Sequence, residues 1–147
     1  LLRSGCYITH DHGPYLDALE TAKSDSSRQW DQSLQPALEI WSYVQSIPEN
    51  NLAFLTMGKR DAPYDSGFPK PIKRFRPGEG FLDIGEAEIF STNDQHAFVK
   101  LADNHQWQVG DMICSGISHP CTAFDKWKFI PVVDDDYNVL DGILTYF

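Results

Sequence analysis

Short runs in which apolar and polar residues alternate, each closed by turn formers, make up most of the chain. Arg3 to Thr9, Leu38 to Ile47, Leu52 to Met57, Glu86 to Ser91, Ala97 to Leu101, Met112 to Ser118, Phe129 to Val133 and Asn138 to Tyr146 are rich in aromatic and β-branched residues. Such residues suit a half-buried pleated surface. The pieces between them, among them Pro48-Glu49-Asn50-Asn51, Asp61-Ala62-Pro63, Arg76-Pro77-Gly78-Glu79-Gly80 and Asp134-Asp135-Asp136, supply the residues that tight connections need. About eight strands punctuated in this way predict a mainly β fold, an irregular antiparallel β-barrel. One segment has a different period. Tyr15, Leu16, Ala18, Leu19 and Ala22 recur at helical spacing before the polar run Lys23-Ser24-Asp25-Ser26-Ser27-Arg28, which predicts one short helix after Gly13 and a surface loop towards Gln35.

A chain of 147 residues is long enough for one hydrophobic core and short for two, so residues 1–147 read as a single domain. Its first residues, Leu1-Leu2-Arg3-Ser4-Gly5-Cys6-Tyr7, lack an initiator Met and read as the inside of a strand, so the chain is expected to begin within a larger protein. The formal net charge of -9 argues against nucleic acid or an anionic membrane surface as partner, since both need clustered cations to displace counterions. The one basic run, Lys70-Pro71-Ile72-Lys73-Arg74-Phe75-Arg76, reads as a solvated loop or a contact to an acidic neighbouring domain. No apolar stretch approaches the roughly 18 residues of a membrane span. The three cysteines, Cys6, Cys114 and Cys121, are odd in number and irregularly spaced. They point to a reducing, cytoplasmic compartment, with metal binding or burial as the fates open to each thiol.

The sharpest chemical signal is Ser118-His119-Pro120-Cys121. On extended backbone, residues two apart point to the same side, so His119 and Cys121 can meet one ion. Pro120 fixes its own φ and keeps His119 out of the helical region. Thiolate beside imidazole favours zinc over harder cations. Against this stands a packed histidine and an inert buried thiol, the commoner fate of an isolated His-x-Cys pair. Two protein ligands also fall short of the four of a structural zinc site. A metal here would keep positions for substrate, water or another domain, as a catalytic ion does.

Three ordered motifs carry a family resemblance: Arg3-Ser4-Gly5-Cys6-Tyr7-Ile8-Thr9-His10-Asp11-His12-Gly13, Asp94-Gln95-His96, and Ser118-His119-Pro120-Cys121-Thr122-Ala123-Phe124-Asp125-Lys126-Trp127. Together they resemble the C-terminal part of the D-serine dehydratase and D-threonine aldolase family. The resemblance implies an alanine-racemase-like enzyme, in which an N-terminal β/α barrel, absent from this chain, holds pyridoxal phosphate on a Schiff-base lysine and a C-terminal β domain closes the active site. It implies a homodimer, a small D-amino-acid substrate, and zinc held by His119 and Cys121. In the family the His-x-Cys pair marks the dehydratase branch, whereas the aldolase branch prefers a carboxylate at the second position. The implied reaction is elimination from D-serine-like substrates to a keto acid and ammonia. Retro-aldol cleavage of D-threonine-like substrates is the alternative within enzymes, and a non-catalytic metal-binding or interaction domain the alternative outside them.

Other residues carry weaker signals. His10 and Asp11 pair an imidazole with a carboxylate, as acid and base catalysis requires, but Asp11 can equally cap the helix after Gly13. If the first segment is a strand, His10 and His12 share a face that Asp11 does not. The implied fold often brings a tyrosine from this domain to the cofactor, which makes Tyr7 a catalytic candidate. Asp94-Gln95-His96 reads first as a turn, and Asp134-Asp135-Asp136 as a solvated hairpin turn rather than a calcium loop. Trp30, Trp41, Trp107 and Trp127 read as packing residues. No lysine sits in a Schiff-base context, and Lys126 reads as a surface residue beside the ligand loop.

Overall fold

The computed structural model describes residues 5–24 and 35–146, apart from the side chain of Tyr7. Among the described residues the elements are one helix, α1 (Pro14–Lys23), and nine strands: β1 (Glu39–Glu49), β2 (Leu52–Leu55), β3 (Lys70–Arg76), β4 (Gly80–Leu82), β5 (Ala87–Thr92), β6 (Ala97–Leu101), β7 (Met112–Gly116), β8 (Phe129–Val133) and β9 (Val139–Leu144). Seven strands form one sheet in the order β4-β3-β7-β1-β2-β6-β5, while β8 and β9 pair as a separate hairpin. Every ladder is antiparallel. β3 also contacts β5 from the far side of the sheet order, so the sheet curls around its core as a barrel does. Among the described residues no ladder closes it.

The alternation read from the sequence sets the faces. In β1, Ile40, Ser42 and Val44 are buried while Tyr43 and Gln45 are exposed. In β6, Ala97, Val99 and Leu101 point inwards. These meet Ala53, Leu55, Ile89, Trp107, Ile113 and Ile117 in one core cluster. On the outer face Phe54 and Phe98, partners in the β2–β6 ladder, pack edge to face with ring centroids 4.7 Å apart. Central β7 is buried on both faces from Ile113 to Gly116. The reason lies outside the sheet: a Cβ on Gly116 would come within 2.3 Å of the His12 ring, so the glycine lets that imidazole lie directly on the strand.

Three expectations are corrected. The segment from Arg3 to Thr9 is not a strand where it is described: Cys6–Ile8 is a 3₁₀ turn. The amides of Thr9 and His10 both donate to the Cys6 carbonyl, at 3.2 and 2.7 Å, and His10 takes a φ of 51°. Strand alternation therefore does not govern His10 and His12. Secondly, the basic run is strand β3, with Arg74 buried. Its charges look solvated in the sequence, but Asp111, itself buried, lies 2.6 Å from Arg76 Nε and 3.6 Å from Arg74 Nη1. Thirdly, Pro120–Thr122 is a 3₁₀ turn, so only His119, at φ -143° and ψ 87°, is extended. The helix begins where expected; the loop expected after it, and Trp30, lie for residues 25–34 outside the described part. No helix among the described residues is long and apolar enough to cross a membrane.

Candidate metal and active site

The loop after β7 carries Ser118, His119 and Cys121, and the loop of residues 56–69 between β2 and β3 forms the wall behind it. Four hydrogen bonds join them. Ser118 Oγ donates to the Gly67 carbonyl at 2.7 Å, Trp127 Nε1 donates to the Asp61 carbonyl at 2.8 Å, and the His119 ring bonds Asp65 through Nδ1 at 2.5 Å. Asp65 also accepts from Thr122 Oγ1 at 3.3 Å. The hydrogen bond from His119 holds the Asp65 carboxyl below its usual range, and the same bond raises the imidazole. With Nδ1 committed to a carboxylate, Nε2 is the ring nitrogen left for a metal, the carboxylate–histidine arrangement that orients many metal-bound imidazoles.

A second wall comes from the N-terminal segment. His12 N–H donates to the Ile117 carbonyl at 2.9 Å, and a Cβ on Gly13 would stand 3.0 Å from Ser118 Cβ. This docking places Cys6 Sγ 2.7 Å from Cys121 Sγ. The contact with Cys6, together with His119, lowers the Cys121 thiol, whereas burial and the same contact push Cys6 up. Cys121 is thus the more readily ionised of the two, as a metal ligand or nucleophile must be.

The first and third sequence motifs therefore meet in space, while among the described residues Asp94-Gln95-His96 makes no hydrogen bond to either. It forms the β5–β6 turn, with Asn93 N–H donating to the His96 carbonyl at 2.8 Å, and the Asp94 carbonyl accepts from the Arg60 amide at 3.0 Å. Asp11 Oδ1 accepts from the amides of Gly13 and Tyr15 at 2.8 and 3.0 Å, a cap on the start of α1. His10 is buried and its Nδ1 donates to the Asp11 carbonyl at 3.1 Å. Tyr7 lies in the 3₁₀ turn, and its side chain falls outside the described residues. The residue that sequence reasoning missed is Asp65, which sits in a loop of ordinary turn composition and carries no local signal.

Two donors, His119 Nε2 and Cys121 Sγ, would leave positions open on a metal held here. Among the described residues no group of three or more His, Cys, Asp and Glu side chains is arranged around one ion. The pair His119 and Cys121 fits zinc in donor softness, and Asp65 supplies the orienting carboxylate.

A concavity of about 680 Å³ lies between β1 and the β8–β9 hairpin, with Ile117, Ala123 and Trp127 on its wall. There Lys73 Nζ donates to Glu39 Oε1 at 2.7 Å and to Tyr137 Oη at 2.6 Å, and Tyr137 Oη donates to Glu39 Oε2 at 2.6 Å. Despite its partial burial, Lys73 is raised by these two partners, which suits an ion-paired strut rather than a nucleophile. Asp134 closes the nearby hairpin, accepting from the Asn138 amide at 2.8 Å, as the turn reading of 134–136 expected.

A family model described as putative serine dehydratase domain matches residues 37–133. The chain belongs to that family. Among curated proteins no sequence match is found. Among solved structures this serine dehydratase-type domain is similar to the D-threonine aldolase from Filomicrobium marinum, with a TM-score of 0.59 and 22% identity, over 74% of this chain and 27% of the aldolase. At that identity the likeness establishes the fold. The chain corresponds to little more than a quarter of the aldolase's length.

Proposed function

We propose that this chain is the β domain of a pyridoxal-phosphate-dependent dehydratase that eliminates water, and then ammonia, from D-serine-like substrates, and that His119 and Cys121 hold its zinc. The observation that carries the reading is the bond from His119 Nδ1 to Asp65, which orients the imidazole beside an acidified thiol as a metal site needs and a packed histidine does not. When bound, zinc supplies a Lewis acid for the substrate β-hydroxyl, and pyridoxal phosphate supplies an electron sink for the α-carbon. The chain's own residues have narrower tasks. Asp65 fixes the tautomer of His119, and Ser118 pins the loop through Gly67. Cys121 brings a soft donor that selects zinc over magnesium or manganese.

In this reading the cofactor belongs to a β/α barrel outside the chain. The β8–β9 hairpin would rest against that barrel, of the same or a second subunit, since Val139, Leu140 and Leu144 are more than half exposed and apolar surface of that kind marks an interaction site. Retro-aldol cleavage is the second reading, and the fold shared with an aldolase keeps it in view. The thiol in place of a carboxylate at position 121 favours elimination.

The test uses the intact protein. Zinc content, pyruvate from D-serine, and glycine from D-threonine are measured for wild type, Cys121→Ser and Cys121→Asp. Elimination should dominate in wild type, and Cys121→Ser should lose zinc and at least tenfold in pyruvate formation. Cys121→Asp should shift towards a harder metal and aldol cleavage. Full zinc and full elimination in Cys121→Ser would overturn the assignment.

A further inference from the structure

Cys6 has no part in the proposed metal pair, yet its thiol is the nearest partner of Cys121. The two sulfurs lie 2.7 Å apart although the residues are 115 positions apart in sequence, and both are free thiols. Several contacts place Cys6 there. Its carbonyl accepts from the Thr9 and His10 amides, Thr9 in turn accepts from Ala37 N–H at 2.8 Å, and His12 N–H is tied to Ile117 just before the ligand loop. Two thiolates on one tetrahedral zinc, at bonds of about 2.3 Å, stand roughly 3.7 Å apart. The Cys6–Cys121 contact is shorter, and nearer to the roughly 2.05 Å of bonded sulfurs than to that spacing. Cys121 is exposed and Cys6 half-buried, the arrangement of a thiol that meets an oxidant and a second thiol that resolves it.

We propose that Cys6 and Cys121 form a reversible disulfide on exposure to hydrogen peroxide, and that this modification removes Cys121 from the metal. The Cys121 thiolate attacks one peroxide oxygen. The O–O bond breaks and its electron pair leaves with hydroxide, which takes a proton to become water, and the sulfur becomes a sulfenic acid. The Cys6 thiol then attacks that sulfur, forming S–S and breaking S–O, and its proton goes to the departing hydroxide, which leaves as a second water. The two thiols lose two electrons in all, and the peroxide gains them. A dithiol reverses the change by thiol–disulfide exchange. A sulfur already bonded to sulfur is no longer a thiolate donor, so metal is released.

The release rests on the reading of His119 and Cys121 as the zinc pair; the cross-link does not. The experiment treats the intact, zinc-loaded protein with hydrogen peroxide, alkylates remaining thiols, and maps peptides by mass spectrometry while a chromophoric chelator follows free zinc. We expect one Cys6–Cys121 cross-linked peptide, release of most of the bound zinc, and recovery of both thiols with dithiothreitol. Cys6→Ser should give no cross-link and should carry Cys121 on to sulfinic acid, so that dithiothreitol no longer restores zinc binding. Wild-type protein in which Cys121 reaches sulfinic acid while Cys6 stays alkylatable would overturn the proposal, as would survival of both thiols. A cross-link with zinc retained would overturn the release. Reduced protein that never holds zinc would overturn the metal reading and leave the disulfide standing.

Discussion

His119 Nδ1 lies 2.5 Å from Oδ2 of Asp65, a residue 54 positions away. Because that bond selects the tautomer and holds the ring, removing the carboxylate should weaken zinc without unfolding the domain. For Asp65→Ala we expect zinc affinity to fall about 10- to 100-fold. Asp65→Asn, which keeps an acceptor oxygen, should lose less. Competition with a fluorescent zinc chelator measures both. Asp65 is 48% exposed, so the urea midpoint should move little. A large loss of stability with affinity unchanged would assign Asp65 a structural role instead.

Asp111 pairs with two arginines, one of them buried. It receives Arg76 through Nε at 2.6 Å and Nη2 at 3.1 Å, accepts the Gln108 amide at 2.9 Å, and lies 3.6 Å from Arg74 Nη1. Asp111 is 1% exposed and Arg74 4%. Asp111→Ala leaves the buried Arg74 unpaired, which costs about 3–5 kcal/mol. Chemical denaturation should show it as a lowered midpoint. A loss below about 1 kcal/mol would mean that water reaches Arg74 in solution.

Glu39 supplies a pH-dependent contribution. Burial pushes its carboxyl up, but the hydrogen bonds from Lys73 and Tyr137 outweigh burial and leave it below the ordinary glutamate value. A depressed folded-state value means that the contribution is present above the unfolded value, about 4.3, and is lost as pH falls through the folded one. Glu39→Gln should therefore cost about 1–2 kcal/mol at pH 7. The gap between variant and wild type should close as the pH drops below the glutamate range. Urea unfolding at a series of pH values tests this, and a gap that stays constant or widens in acid would refute it.

The repeating pattern of side chains determined a good part of this protein on its own. Ala97–Leu101 and Phe129–Val133 coincide with strands read from alternation, and α1 begins at Pro14 as its apolar spacing requires. These features were legible because burial on one face of a strand or helix imposes a period on the sequence itself. Asp134 could be read as a turn residue because its partners lie within four positions. The Ser118-His119-Pro120-Cys121 motif was legible too, because its candidate ligands are neighbours in the chain. Tertiary structure decided the rest. It bent the first segment into a 3₁₀ turn, made a strand of the basic run by giving Arg74 and Arg76 a buried anion, and set Asp65 behind His119 and Cys6 against Cys121. Each of these pairings joins residues tens of positions apart. They depend on the path of a loop or the register of a ladder, and charge or thiol chemistry leaves no periodic trace of a distant partner.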